Sequence, residues 1–402
     1  MKAFALTHPG NEQIANLEVT ELLNVSSKAQ EGGLVIFDFK KFEELFSLCY
    51  KSRSLISVSL LFQQFKFSNI KEIENLISFD NFDTSFFSKK SFAVSCIRLG
   101  DHDFNSQEVE VIVGDFIGKK LKEHNIEFSV NLSSPDIPVF VYIYENNFFM
   151  GVDFAGFDMS KRSYRMFHHT DSVKGSIAYS LIRFSDFNFN SIPKSKRIIL
   201  DPFGGSGTLA IEAACFVNNK SINFFNKDEF AFHKFPQFDD FDFDNYLEEL
   251  DKAPIESKKD GNEKTDKKNI VKTDIVCIDF NQRNLKAAEK NAKLAHINKF
   301  INFSRTEVEW LDTKFEENSV DIIISNPPKP NKHNDQKEID KMFKELFYVA
   351  DFILKKGGKV AIIMKTFEFL KPFAKKYGFE IKKTQSIFQG KEELNFVLFE
   401  KV

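Results

Sequence analysis

Two short motifs, each directly after a run of apolar residues, have residue types and spacing that could do chemistry. The first is residues 201–208, Asp-Pro-Phe-Gly-Gly-Ser-Gly-Thr, which follows the apolar residues 198–200. The second is Asn326-Pro327-Pro328, which follows the strand-like residues 320–324. Glycines at such a turn permit positive φ and let a ligand lie against bare backbone. A glycine-rich turn alone is a weak signal, but the two motifs in this order are far more specific.

Together the two motifs resemble those of S-adenosylmethionine-dependent methyltransferases that modify exocyclic amino groups of nucleobases. In that family the first motif holds the cofactor, and an Asn/Asp-Pro-Pro-aromatic motif holds the base. The resemblance implies S-adenosyl-L-methionine as the cofactor. The cofactor-binding residues that it implies are Asp201, Phe203, Gly205, Ser206, Gly207, Thr208, Asp279 and Glu307, and the catalytic residues are Asn326, Pro327 and Pro328.

The acceptor chemistry explains why an Asn should precede two prolines. An exocyclic amino group is a poor nucleophile because its lone pair is delocalised into the ring. The side-chain oxygen of Asn326 and the carbonyl of Pro327 can accept its two hydrogens and aim the lone pair at the methyl donor. Prolines supply a stiff backbone without a competing donor. The alternative is a turn that merely ends a strand.

Three acidic residues are candidates for binding the ribose, the ammonium group and the adenine of the cofactor. Asp279 follows the apolar residues 275–278 and is placed to bind both ribose hydroxyls, as in dinucleotide folds. Its alternative role is the N-cap of a helix over 281–295. S-adenosylmethionine carries no phosphate, so the glycine-rich turn is not expected to be a phosphate-binding loop. Asp201 can instead lie near the ammonium of the methionyl group, directly or through water. Glu307 occupies the place where the family often has Asp beside the adenine.

Lys329 departs from the motif, because the family usually has Tyr or Phe at this position. A lysine has no π-face on which an extruded base could stack. Its charge could hold a flanking phosphate instead. The alternative is a relative that has lost catalysis and kept RNA binding.

Upstream, a second pattern resembles the THUMP domain, which binds structured RNA. It comprises Arg98-x-Gly100-x-His102, residues 106–110 and the closing run 160–165, Ser-Lys-Arg-Ser-Tyr-Arg. Physically, cations of the closing run could contact phosphates while its tyrosine stacks or packs. The alternative is a solvated basic turn. The RNA-binding residues expected from both motifs are Arg98, Lys161, Arg162, Tyr164, Arg165 and Lys329.

Periodicity places these motifs in an α/β chain, with a Rossmann-like methyltransferase domain preceded by an α+β region. Predicted strands at 197–201, 274–278, 320–324 and 359–364 alternate with helical patterns, which indicates a parallel sheet, and a hairpin at 378–381 and 396–399 completes it. A helix with Ser106 as its N-cap is expected to bury Val109 and Val113. The predicted domains are a ferredoxin-like domain at 1–85, a THUMP domain at 86–165, a linker helix at 166–186, and a class I methyltransferase domain at 187–402 with an insertion at 216–272.

Within that insertion, residues 229–235 resemble an insertion of THUMP-bearing guanine-N2 methyltransferases, and the charged residues 256–268 are expected to form a loop. The acidic-aromatic run 239–244 would repel phosphates, so it is expected to lie away from the RNA.

The composition of the chain bears on RNA affinity, metal binding and membrane insertion. The chain of 402 residues has a net charge of −3, and residues 1–185 carry 19 Lys and Arg against 23 Asp and Glu, so RNA affinity must come from a local patch. The 49 phenylalanines are expected in cores. Four widely spaced cysteines indicate buried thiols in a cytoplasmic protein without a metal site. No membrane span or signal peptide is expected.

Together, the resemblances to THUMP domains and to guanine-N2 methyltransferases cover nearly the whole chain. They imply transfer of a methyl group to the N2 of a guanosine in tRNA, in the acceptor stem. A 23S rRNA guanine-N2 methyltransferase is the first alternative, and a silent RNA-binding relative is the second. A DNA adenine-N6 methyltransferase shares the Asn-Pro-Pro chemistry but has no need of a THUMP-like segment. The oligomeric state stays open, with a monomer expected.

Overall fold

The computed structural model describes residues 1–78, 82–168, 173–187, 197–252, 273–329 and 335–402. Two compact units divide the chain: residues 1–159 with 223–250, and residues 160–222 with 251–402. Among the described residues, no helix combines the length and apolarity that a bilayer crossing requires. The loop expected at 256–268 lies outside the described residues.

The strands and helices share one numbering in chain order. Up to residue 159 they are β1 (Lys2–Thr7), α1 (Glu12–Leu23), β2 (Ser27–Gln30), β3 (Leu34–Asp38), α2 (Phe42–Lys51), β4 (Leu55–Lys66), α3 (Ile70–Leu76), β5 (Lys90–Leu99), α4 (Ser106–Glu123), β6 (Phe128–Val130), β7 (Ile137–Tyr144) and β8 (Asn147–Asp153). The remainder are α5 (Gly175–Phe184), β9 (Arg197–Asp201), α6 (Thr208–Val217), α7 (Phe243–Lys252), β10 (Thr273–Ile278), α8 (Gln282–Leu294), β11 (Ile301–Ser304), β12 (Val320–Ser325), α9 (Gln336–Ile353), β13 (Leu354–Met364), α10 (Lys371–Lys376), β14 (Phe379–Gln389) and β15 (Glu392–Lys401).

The first unit is built on one eight-stranded sheet with the order β2-β3-β1-β4-β8-β7-β5-β6. Strands from the predicted ferredoxin-like and THUMP segments join in it, because β4 pairs antiparallel with β8 from Ser59 opposite Asp153 to Lys66 opposite Asn147. The sheet therefore continues across the boundary that was predicted at residues 85 and 86. Strands β7 and β8 form an antiparallel pair, with Tyr144 opposite Asn147.

Helix α4 shows how the sequence determines a buried face. Val109, Val113 and Ile117 recur every four residues and are fully buried, so the prediction that Val109 and Val113 are buried is confirmed.

The N-cap of α4 differs from the prediction. The helix begins at Ser106, so the prediction of Ser106 as the N-cap is wrong by one residue. Asn105 is the cap: its side chain accepts a hydrogen bond from the Glu108 N–H at 3.1 Å, and the Glu108 carboxylate accepts one from the Asn105 N–H at 2.7 Å. This reciprocal pair satisfies two N–H groups at the start of the helix.

Residues 223–250 fold as part of the first unit, although the sequence was interpreted as placing them in the methyltransferase domain. Phe232 lies 4.8 Å from Phe46 and Phe235 lies 5.1 Å from Phe154, measured between ring centroids. All four rings are buried, which agrees with the expectation that phenylalanine serves the cores. Aromatic burial of this kind contributes a large hydrophobic free energy. Residues 223–250 therefore complete the core of the first unit.

The second unit is built on a seven-stranded sheet with the order β11-β10-β9-β12-β13-β15-β14. The strands β10, β9, β12 and β13 run parallel, as predicted, and β14 and β15 form the predicted terminal hairpin. The short strand β11 was not predicted. Both faces of the central strands are covered, which explains their continuous apolar sequences. The strand order reverses between β9 and β12, and ligands of such sheets bind beyond the carboxyl ends at this point.

Candidate active site

The glycine-rich turn joins β9 to α6 and allows no side chain at two of its positions. A Cβ atom at Gly204 would lie 2.4 Å from the Cys277 sulfur, and one at Gly207 would lie 2.8 Å from the Cβ of Ala288. Gly205 and Gly207 have φ of 51° and 82°. Hydrogen bonds fix the turn, since the Gly204 N–H donates to the Ile278 carbonyl and the Gly207 N–H donates to the Gly204 carbonyl, both at 2.7 Å. The result is a rigid stretch of bare backbone.

Asp279 lies at the end of β10 and supports this turn. Its Oδ2 accepts a hydrogen bond from the Gly205 N–H at 2.9 Å, and its Oδ1 accepts one from the Asn281 N–H at 2.7 Å. Asn284 donates to both oxygens at 3.3 and 3.2 Å. The helix α8 is capped by Asn281, whose side chain accepts from the Arg283 N–H at 2.9 Å, so the N-cap role for Asp279 is wrong.

Asp201 and Ser325 join the two motifs. The Ser325 hydroxyl donates to Asp201 Oδ1 at 2.7 Å, and the Phe203 N–H donates to the same oxygen at 3.2 Å. Ser325 is fully buried and immediately precedes Asn326. Burial raises the pKa of the Asp201 carboxyl to about 7, and the negative charge of Asp279 adds to the shift. The end of β9 is therefore tied to the start of the Asn-Pro-Pro motif.

The Asn-Pro-Pro motif continues from β12 at the carboxyl edge of the sheet. Strand β12 pairs with β13 up to Ser325 opposite Ile362, and with β9 at Ile322 and Ile323. Pro327 is buried, whereas Asn326 and Pro328 are half-buried. Both predicted motifs thus end at neighbouring strands, where the strand order reverses.

The residues at this edge fit S-adenosylmethionine. The turn presents backbone that a Cβ would obstruct, and two carboxylates lie at the ends of adjacent strands β9 and β10. Asp201 suits an ammonium group, since a nearby cation favours the ionised form of a carboxyl whose pKa is raised by burial. The two oxygens of Asp279 offer about four acceptor positions, and donors of the chain approach all four. Hydroxyl groups would therefore take the place of the Asn284 amide, whose distances of 3.3 and 3.2 Å are the longest of the four.

The other four cofactor candidates differ in burial. Ser206 and Thr208 are buried in the turn, with their hydroxyl oxygens 3.4 Å apart, and Phe203 is half-buried against the core. Glu307 follows β11, and its side chain is exposed. The role of Glu307 beside an adenine stays a prediction.

Lys329 is half-buried, and its charge acts on Glu392, the first residue of β15. The ammonium of Lys365 lies 2.9 Å from the Glu392 carboxylate. The hydrogen bond from Lys365 lowers the pKa of Glu392, and the nearby charge of Lys329 adds to this effect. A lysine, rather than an aromatic residue, therefore directly follows the Asn-Pro-Pro motif.

Arg162 and Tyr164 correct a prediction. Arg162 Nε donates to Glu212 Oε1 at 2.7 Å, and both side chains of this ion pair are fully buried. Arg162 Nη2 lies 3.4 Å from Glu212 Oε2, and the Tyr164 hydroxyl donates to Oε1 at 2.7 Å. Burial, with the charge of Glu212, raises the pKa of Tyr164 well above its usual range. The expected phosphate contact by Arg162 and the stacking option for Tyr164 are wrong, because both residues are buried, whereas the other option, that Tyr164 packs, is confirmed.

Sequence reasoning missed two residues that hold the site together. Glu212 lies in the apolar helix α6, and a lone carboxylate on a buried face was a usable signal. Asn291, in α8, donates to the backbone carbonyls of Phe167 and Ser206, both at 2.9 Å, and accepts from the Phe167 N–H at 3.0 Å. A single amide therefore links residue 167 to the glycine-rich turn.

The remaining RNA candidates lie in different settings. Lys161 is exposed and Arg165 is half-buried in the second unit. Arg98, in the first unit, lies 3.3 Å from His102 Nδ1, and its guanidinium carbon lies 5.8 Å from the centre of the Phe104 ring. Contact of these three with RNA stays a prediction.

Comparisons with known proteins agree with this geometry. Residues 162–394 match the family described as RMKL-like, methyltransferase domain, and residues 68–153 match the THUMP domain, which begins earlier than predicted. A tRNA (guanine(6)-N2)-methyltransferase of Methanocaldococcus jannaschii is 28% identical over 97% of both chains. A ribosomal RNA large subunit methyltransferase K/L of Buchnera aphidicola is 25% identical over 86% of this chain, which spans only 47% of that relative.

Solved structures share the fold. A methyltransferase crystallised with SAH superposes with a TM-score of 0.75 at 20% identity, covering 99% of this chain and 97% of its own. TrmN from Thermus thermophilus superposes with a TM-score of 0.68 at 21% identity, covering 100% and 99%. Because the family match covers more than half of the sequence, this chain belongs to the RMKL-like methyltransferase family, with a THUMP domain in its first unit.

Proposed function

We propose that this protein transfers a methyl group from S-adenosylmethionine to the exocyclic N2 of a guanosine in tRNA, in the acceptor stem. The observation that carries the proposal is the 2.7 Å hydrogen bond between Ser325 and Asp201, which holds Asn326 beside the glycine-rich turn. The Methanocaldococcus jannaschii relative, which aligns with 97% of this chain, supports tRNA as the substrate class. In this proposal the enzyme works as a monomer in the cytoplasm without a metal ion.

Asn326 and Pro327 hold and orient the base. The Asn326 side-chain oxygen and the Pro327 carbonyl accept the two amino hydrogens, so the nitrogen lone pair is freed from the ring and aimed. S-adenosylmethionine, when bound, supplies the electrophilic methyl group. Prolines 327 and 328 keep these acceptors rigid, so little reorganisation is needed during transfer. Alignment and fixed dipoles then account for most of the rate enhancement.

Asp201 and Asp279 bind the methyl donor in this proposal. Asp201 holds its ammonium group directly or through water, while the Asp279 carboxylate accepts its ribose hydroxyls. The intrachain donors to Asp279, Gly205 and Asn281 among them, fix the carboxylate in one orientation. A carboxylate fixed in this way loses little entropy when the ligand arrives.

Two alternatives rest on specific observations. The K/L relatives support ribosomal RNA as the substrate, although this chain spans about half of their length. Lys329, where the family motif has an aromatic ring, supports a silent RNA-binding protein, since stacking on the extruded base is lost.

The test is methyl transfer from labelled S-adenosylmethionine to unmodified tRNA, 23S rRNA fragments and DNA, followed by nucleoside mass spectrometry. We expect N2-methylguanosine in tRNA alone. N2-methylguanosine in rRNA alone would favour the ribosomal substrate, and N6-methyl-2′-deoxyadenosine from DNA would overturn the RNA assignment. Binding of cofactor and tRNA without product would identify a silent binder, and recovery of product with Lys329→Tyr would identify Lys329 as the cause.

A further inference from the structure

Helix α8 carries four cations on one face. Arg283, Lys286, Lys290 and Lys293 are separated by three, four and three residues, and all four are exposed. Residues with this spacing lie side by side along a helix. Within the described part of the chain, none of the four is paired with a carboxylate, and the one acidic residue of the helix, Glu289, is half-buried. These four residues, named the α8 stripe, extend over about 15 Å.

Exposed apolar side chains adjoin the stripe. Phe167 is 40% exposed and Met166 is 67% exposed. The Lys290 ammonium lies 4.7 Å from the centre of the Phe167 ring. An exposed aromatic ring beside a cation is the arrangement with which proteins stack unpaired bases.

The position of Phe167 is fixed by buried polar contacts. Asn291, which is 1% exposed, holds both the N–H and the carbonyl of Phe167 and also the carbonyl of Ser206. The other side of α8 packs against the glycine-rich turn, since Ala288 is the residue that a Cβ at Gly207 would strike. The aromatic ring and the stripe are therefore built on the same framework as the cofactor turn.

We infer that the α8 stripe and Phe167 form an RNA-binding surface on the methyltransferase unit, where the stripe contacts phosphates and Phe167 stacks an unpaired base. The inference rests on the proposed function for its choice of RNA. Charge complementarity supports it, because the chain as a whole carries −3 while this surface carries four unpaired cations. RNA offers both the phosphates and the unstacked bases that such a surface fits, whereas an acidic peptide lacks the bases.

The stripe is tested in the full-length protein with the triple variant K286Q/K290Q/K293Q. Fluorescence anisotropy measures tRNA affinity over a range of KCl concentrations, and calorimetry measures S-adenosylmethionine affinity. We expect tRNA binding to weaken about tenfold or more, and the slope of log K against log salt to fall by about 0.7–0.9 for each lost contact. Cofactor affinity should stay unchanged. The matched control is K371Q/K375Q/K376Q on α10, three exposed lysines whose loss should change tRNA affinity less than twofold.

Phe167 is tested separately by Phe167→Ala, with Phe300→Ala as control, since Phe300 is 46% exposed in the same unit. Phe167→Ala should weaken tRNA binding about fivefold or more without changing the salt slope. Equal losses in the α8 and α10 variants, or wild-type affinity in the α8 variant, would overturn the inference. Equal loss of duplex DNA and tRNA binding would also overturn it, since it would indicate a general polyanion surface. Wild-type protein that binds tRNA without methylating it would contradict the proposed function alone.

Discussion

Replacing Arg162 by Met should destabilise the methyltransferase unit more than any exposed charge substitution. Arg162 Nε and Nη2 lie 2.7 and 3.4 Å from the two oxygens of Glu212, and both side chains are 0% exposed. Without the guanidinium, the buried Glu212 carboxylate retains, among the described residues, one hydrogen-bond donor, the Tyr164 hydroxyl at 2.7 Å. Leaving one member of a buried ion pair in this way costs about 3–5 kcal/mol. Tyr164→Phe, which removes one hydrogen bond to a charged group, should cost about 1.5–3 kcal/mol.

The assay is urea unfolding of the full chain, followed by the fluorescence of Trp310. The protein has one tryptophan, and it lies in the second unit, so its emission reports on this unit separately from the first. A chain with two units can unfold in more than one step, which makes a local probe necessary. The control is Lys355→Met, whose ion pair with Asp321 spans 2.9 Å near the surface and should contribute less than about 1 kcal/mol.

A double-mutant cycle tests the reasoning itself. The pair Arg162→Met and Glu212→Leu replaces both charges by apolar groups, and should recover most of the loss because no unpaired charge stays buried. An Arg162→Met variant as stable as Lys355→Met would refute the argument. So would a double variant whose loss equals the sum of the two single losses.

Three further predictions concern the cofactor turn. Asp279→Ala should weaken S-adenosylmethionine binding about a hundredfold and leave tRNA affinity unchanged, because two hydrogen bonds to a charged group are lost. An unchanged cofactor affinity by calorimetry would remove the ribose assignment. Because burial raises the pKa of Asp201 to about 7, cofactor affinity should fall about tenfold per pH unit below that pKa, where the carboxyl is protonated and uncharged. Asp201→Asn should bind weakly at every pH, and a wild-type profile that is flat from acidic to neutral pH would contradict this role. Gly207→Ala should destabilise the protein by about 1–2 kcal/mol and weaken cofactor binding. The reason is that residue 207 has a φ of 82° and that a Cβ there would lie 2.8 Å from the Cβ of Ala288. A thermal unfolding temperature within error of wild type would refute this prediction.

Local patterns in the sequence were sufficient for the framework of the site. The apolar runs before Asp201, Asp279 and Asn326 predicted the strands β9, β10 and β12, and the structure places all three next to one another in the second sheet. This worked because strands buried on both faces have a continuous apolar signal and are followed by polar residues at the carboxyl edge.

Contacts between distant residues could not be predicted in the same way. Nothing in the basic run 160–165 distinguishes an exposed arginine from one that pairs with Glu212, fifty residues later. Likewise, the aromatic residues within 229–235 indicate that this segment is buried, but they do not indicate which unit buries it. The structure places them in the core of the first unit. Ser106 and Asn105 are both good caps by type, so only the geometry of the first turn decides between them.

The most direct test of the central claim is single-turnover methyl transfer to unmodified tRNA by Asn326→Ala, with product identified as N2-methylguanosine by mass spectrometry. We predict a rate at least about a hundredfold below wild type, because an acceptor that orients the amino group is removed. The affinities for cofactor and tRNA should stay within about twofold of wild type, because Asn326 acts mainly in the reaction step. A wild-type rate, or an equal loss of binding and turnover, would contradict the account.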